Sequence, residues 1–126
     1  MDPFKTCPLC GHAWASRRQF LEDPELELIG YQVDFLDVAL GLFLFNHRDC
    51  ETTLAVRAGN FLDLYDGPVY QGCRAGEAEC LRHCLRRSDL RPCPVECECA
   101  CVRALLGIIR AWPRPKRSPA PPVEGR

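Results

Sequence analysis

Ten cysteines constrain what this 126-residue chain can fold into, because they fall into two groups with a long gap between them. Cys7 and Cys10 open the chain, and Cys50 stands near its middle, three residues after His47. Cys73, Cys80, Cys84, Cys93, Cys97, Cys99 and Cys101 crowd into the 29 residues from 73 to 101. At about eight per cent cysteine, a secreted disulfide scaffold competes with metal binding, and the compartment decides between them. The chain begins Met-Asp-Pro-Phe-Lys-Thr-Cys, without the basic and apolar segments of a secretory leader. Its longest apolar run, Val38–Phe45, has eight residues, whereas a membrane helix takes about 20. The expectation is a cytoplasmic protein with no membrane span, whose clustered thiols stay reduced and bind metal.

Patterning along the chain predicts an α+β fold. Ser16 is placed to cap a short helix running to Asp23, with Pro24 stopping it. From Glu25 to Phe35 apolar and polar residues alternate as in a half-buried strand, with Gly30 as a bulge. Val38–Phe45, apolar on both faces, reads as a central strand, and Thr52–Arg57 as a third. Short turns would join the three into an antiparallel meander, followed by one helical turn over Asn60–Tyr65. The second half changes character. Good helix formers fill Glu77–Arg87, prolines break the chain at 92 and 94, and apolar spacing predicts a helix from Val102 to Trp112. From Pro113 a proline-rich basic tail should be disordered.

Cys7-Pro-Leu-Cys10-Gly has the form of a metal knuckle, since a turn aims two thiolates three residues apart at one ion. The glycine permits the positive φ such a turn tends to need. His47-Arg-Asp-Cys50 offers two more donors at the same spacing, at the far end of the central strand. Together they make a set of three cysteines and one histidine, a known zinc composition. His12 is an alternative fourth ligand to His47. Over residues 7–50 this arrangement resembles a zinc ribbon and, more loosely, rubredoxin. Rubredoxin's iron is held by four cysteines, so His47 in place of one favours redox-silent zinc. The whole chain is also similar to small cysteine-rich bacterial proteins with Gly30-Tyr31-Gln32 and Phe45-Asn46-His47 middle segments, a likeness that implies no particular activity.

The second group can be read in more than one way. On a helix, Cys80 and Cys84 would point one way, and Cys93 and Cys97 would complete a closed zinc site of four cysteines. Adding Cys99 and Cys101 makes the run dense enough for an iron–sulfur cluster or a second zinc ion. Cys73 lies outside either pattern.

Charge is uneven. Residues 25–72 hold eight acids against two bases, net −6, and residues 73–126 eleven bases against six acids, net +5. Arg82, Arg86, Arg87, Arg91 and Arg103 suggest phosphate contacts, but residues 71–111 contain no aromatic on which a base would stack. Protein partners are therefore expected ahead of nucleic acid. No phosphate-cradling glycine loop or nucleophile elbow is present, and no catalytic set is recognised. The expected organisation is a zinc-ribbon-like lobe at 1–70, a helical cysteine-rich lobe at 71–112 and a tail at 113–126. The expected role is that of a zinc-binding interaction or regulatory module, with an iron–sulfur redox or oxidant-sensing protein as the alternative.

Overall fold

Two tight turns, one between the first two strands and one between the last two, organise the first half. The computed structural model describes residues 2–34, 37–70, 78, 80–93 and 96–115. Strands β1 (Lys5–Thr6) and β2 (Ala13–Trp14) pair antiparallel, Lys5 opposite Trp14, and so close the first turn into a hairpin. Helix α1 (Arg17–Glu22) follows, and Ser16 caps it by accepting the Gln19 amide at 3.2 Å. Its last turn ends before Pro24, where the Trp14 indole donates to Asp23 at 2.8 Å and ties the helix end to β2.

The expected meander is present. Strands β3 (Leu26–Gln32), β4 (Leu42–His47) and β5 (Thr52–Arg57) form one antiparallel sheet in that order. The register of β3 slips between Leu28 and Gly30, as the glycine suggested. A Cβ on Gly30 would sit 2.6 Å from the Arg87 carbonyl oxygen, and that oxygen accepts the Tyr31 amide at 2.8 Å. The glycine therefore lets the later segment seal the open edge of β3.

One buried cluster fills the centre. Phe20, Phe43, Phe45 and Phe61 interlock, with Phe20 and Phe45 edge to face at 4.9 Å. Helix α2 (Ala100–Arg110) packs on β3 and on a 3-10 segment, Ala58–Leu64, and buries Val102, Leu105, Leu106 and Ile109 in the same cluster.

Three expectations need correcting. The central strand starts at Leu42, not Val38: Asp37 accepts the Ala39 amide and turns Val38–Leu40 into a 3-10 turn. Gly41 is then pressed so close to Tyr31 that a Cβ there would lie 2.7 Å from the hydroxyl. The helix expected over Glu77–Arg87 is absent from its described residues 80–87. Arg82 takes a left-handed φ of 61°, only His83–Leu85 make a single 3-10 turn, and Arg87 spends its carbonyl on β3. The tail expected from Pro113 begins docked, since Arg114 donates to the carbonyls of Leu21 at 2.6 Å and Ile109 at 3.1 Å. The loop at 72–76, Cys73 and the chain beyond Pro115 lie outside the described residues. Among the described residues no helix is long and apolar enough to cross a membrane.

Candidate metal centre

Cys7 leaves β1 at the start of its turn, and the Gly11 amide returns to its carbonyl at 3.0 Å. The Cys7 amide in turn donates to the His12 carbonyl at 2.8 Å, so the loop is closed by its own backbone. Gly11 has φ +79°, the left-handed geometry expected of it. The second turn repeats the design between β4 and β5. The Cys50 amide donates to the His47 carbonyl at 3.2 Å, and the next residue, Glu51, also has positive φ, at 56°. Here a glutamate holds the conformation that glycine holds in the first turn.

These turns converge. The donor atoms of Cys7, Cys10, His47 and Cys50 all lie within 4.8 Å of one another. The Cys7 and Cys50 sulfurs are 3.6 Å apart, and the His47 Nδ1 is 3.7 Å from the Cys10 sulfur and 3.4 Å from that of Cys50. Zn–S bonds of about 2.3 Å and Zn–N bonds of about 2.0–2.1 Å imply tetrahedral edges of about 3.8 Å between sulfurs and about 3.5 Å between sulfur and nitrogen. These three edges are close to those of a tetrahedron around one ion, and no pair of donors is farther apart than 4.8 Å. The set is able to hold a metal ion.

Its surroundings also suit thiolate ligands. Backbone amides of Cys10 and then Leu9, with smaller help from His47 and Cys50, lower the Cys7 thiol to about 6, against the effect of burial. Cys10 is pushed the other way: the His12 amide lowers it, but burial and the neighbouring Cys7 and Cys50 sulfurs outweigh that amide. Crowded sulfurs of this kind cannot all ionise unless a cation sits among them. His47 and Cys7 are each 1% exposed, whereas Cys10 faces solvent. Trp14 stands edge-on to the His47 ring at 5.1 Å and to Phe20 at 5.2 Å, so one indole joins the site wall to the core. No spacing rule would have singled out Trp14.

His12 is exposed, with its ring 5.9 Å from that of His47, and the four-donor set holds His47 rather than His12. The second cysteine group is arranged differently. Among the described residues Cys80, Cys84, Cys93, Cys97, Cys99 and Cys101 do not form a set of three or more mutually close donors. The Cys99 amide instead donates to the Cys97 sulfur at 3.5 Å. The Cys80 sulfur accepts the Arg82 amide at 3.4 Å, and the Cys101 thiol faces the Glu98 carbonyl at 3.4 Å.

Arg103, a phosphate-contact candidate on sequence alone, is fully buried. Its guanidinium donates to the carbonyls of Asp89 at 2.7 Å and Arg91 at 2.6 Å, with the Asp89 carboxylate at 3.5 Å. Arg82, Arg86 and Arg87 remain exposed. No family model, no curated protein and no solved structure matches this chain.

Proposed function

We propose that the chain is a zinc protein whose Cys7, Cys10, His47 and Cys50 hold one structural ion in two zinc-ribbon-like knuckles. The mutual closeness of those four donors carries the reading. Three thiolates and one imidazole favour zinc, and a fully ligated ion leaves no open position for a substrate. The ion would therefore shape a surface rather than run a reaction, and the function is that of a protein-interaction or regulatory module.

Metal analysis of protein purified without added metal tests the proposal. One zinc equivalent at the site is expected, retained by His12→Ala and lost by His47→Ala. Loss with His12→Ala and retention with His47→Ala would overturn the ligand set, and bound iron in place of zinc would overturn the metal.

A further inference from the structure

Three arginines from separate parts of the chain line one cavity of about 420 Å3, within the range of about 300–1,000 Å3 usual for small-molecule sites. Arg48 comes from the turn between β4 and β5, Arg110 is the last residue of α2, and Arg114 follows four residues later. Leu26 and Leu28 of β3 and Leu90 give the cavity apolar walls, and Glu27 is the one carboxylate among its described lining residues. Two of the guanidiniums are held in place by backbone. Arg114 donates through Nε to the Leu21 carbonyl at 2.6 Å and through Nη2 to the Ile109 carbonyl at 3.1 Å, which leaves Nη1 over. Arg48 donates through Nη1 to the Pro24 carbonyl at 3.2 Å, and its Nη2 lies 3.5 Å from the half-exposed Glu27 carboxylate. Arg110 has no ion-pair partner among the described residues. Asp23 also acts on Arg114, but its two oxygens already accept the Trp14 indole and the Glu25 amide, both at 2.8 Å. Three positive charges therefore share one carboxylate beside leucine walls, an arrangement that repels itself until an anion enters. Arg114 shows the strain: burial, and then the Arg48 charge, hold it below the ordinary arginine value.

We propose that this cavity binds a small phosphate monoester, with Arg48, Arg110 and Arg114 holding the phosphate and Leu26, Leu28 and Leu90 covering its organic part. Charge selects the ligand. Three guanidiniums against Glu27 leave two positive charges unmatched, and a phosphate monoester carries about −1.5 to −2 at neutral pH on three acceptor oxygens. A carboxylate would match only one of them. Planar guanidinium forks suit phosphate because each can give two parallel N–H bonds, and guanidiniums already fixed by backbone carbonyls lose little freedom on binding. The leucine walls favour an organic ester over the bare ion, whose hydration they would strip without giving anything in return. None of these residues is a ligand of the zinc set, so the site stands whether or not the zinc reading holds.

Calorimetric titration of the full chain with phenyl phosphate, at physiological salt, provides the test, with benzoate and inorganic phosphate titrated beside it. One equivalent of phenyl phosphate should bind wild type, about tenfold more tightly than either comparison ion. Arg110→Gln and Arg114→Gln should each weaken it about tenfold. Leu90→Ala should narrow its margin over inorganic phosphate while leaving the bare ion's affinity unchanged. If Arg114→Gln fails to fold, Arg110→Gln, at an exposed position, carries the test. Failure of wild type to bind phenyl phosphate would overturn the proposal, as would benzoate binding equally well or an affinity that neither arginine variant moves. A single-stranded oligonucleotide that displaces phenyl phosphate at lower concentration would assign the arginines to nucleic acid and overturn it too. Zinc content of the same samples reports separately on the Cys7–Cys50 site, so failure of one reading is distinguishable from failure of the other.

Discussion

The two cysteine regions use the same residue in opposite ways. In the first, two turns are each locked at both ends by strands, and the packing of Trp14 from the hairpin against His47 of the larger sheet brings the two turns together. In the second, the described residues before α2 include one 3-10 turn and a left-handed Arg82, and they are pinned by Arg87 on β3 and by the buried Arg103. Among the described residues its sulfurs meet nearby backbone, Cys80 the Arg82 amide, Cys97 the Cys99 amide and Cys101 the Glu98 carbonyl. Cysteine spacing predicts a metal site only where the backbone between the cysteines is already determined. A two-residue gap in a hairpin turn is determined; a three-residue gap depends on whether a helix forms.

If that contrast is right, the regions should fail separately. The largest effect belongs to the ligands. Structural zinc supplies on the order of 10 kcal/mol of apparent binding energy in small domains, so Cys10→Ser or His47→Ala should release the ion and melt the β1–β2 hairpin. Thermal unfolding and metal content check this, and Cys84→Ser should leave both unchanged at the first site.

Next comes the buried arginine. Asp89 places its carboxylate against Arg103, and orphaning a buried charge costs about 3 kcal/mol at the low end. Asp89→Asn should lower stability in urea by that order while the first site keeps its ion. The hydrogen bond from Arg91 holds the Asp89 carboxyl well below its ordinary 3.8. Its contribution is therefore complete above about pH 4 and drains away only as pH falls through the lower folded value. Acid titration of wild type should accordingly retain the Asp89–Arg103 contact below pH 4.

A smaller effect should come from Gly30→Ala, whose Cβ would meet a backbone oxygen that cannot swing aside. A loss of about 2 kcal/mol is expected, with faster amide exchange at Tyr31 and no change in metal content. The smallest effect should be a gain. Left-handed backbone costs a non-glycine residue about 1 kcal/mol, so Glu51→Gly, copying Gly11 of the first turn, should raise stability by a few tenths to about 1 kcal/mol. A destabilised Glu51→Gly would show that Glu51 is held there by more than the turn.

Much of the first half was legible because its signals are local. Ser16 capped its helix, Gly30 marked the bulge, and the alternation from Leu26 to Gln32 gave a strand. The four donors followed from two spacings and a meander. Val38 was misplaced because an apolar run carries no period, and the Asp37 side chain, not hydrophobicity, set where β4 begins. The Glu77–Arg87 helix was misread because propensity is weak beside tertiary demands, here the Arg87 carbonyl required at the edge of β3. Arg103 looked like a surface charge, since no sequence pattern shows that Asp89 and Arg91 present carbonyls to it.

The central claim is that the metal lies in the first region and not the second. X-ray absorption at the zinc edge of the purified full chain tests it most directly. The account predicts one zinc with three sulfurs at about 2.3 Å and one imidazole nitrogen at about 2.0–2.1 Å. A shell of four sulfurs would place the ion among Cys80–Cys101 and contradict it.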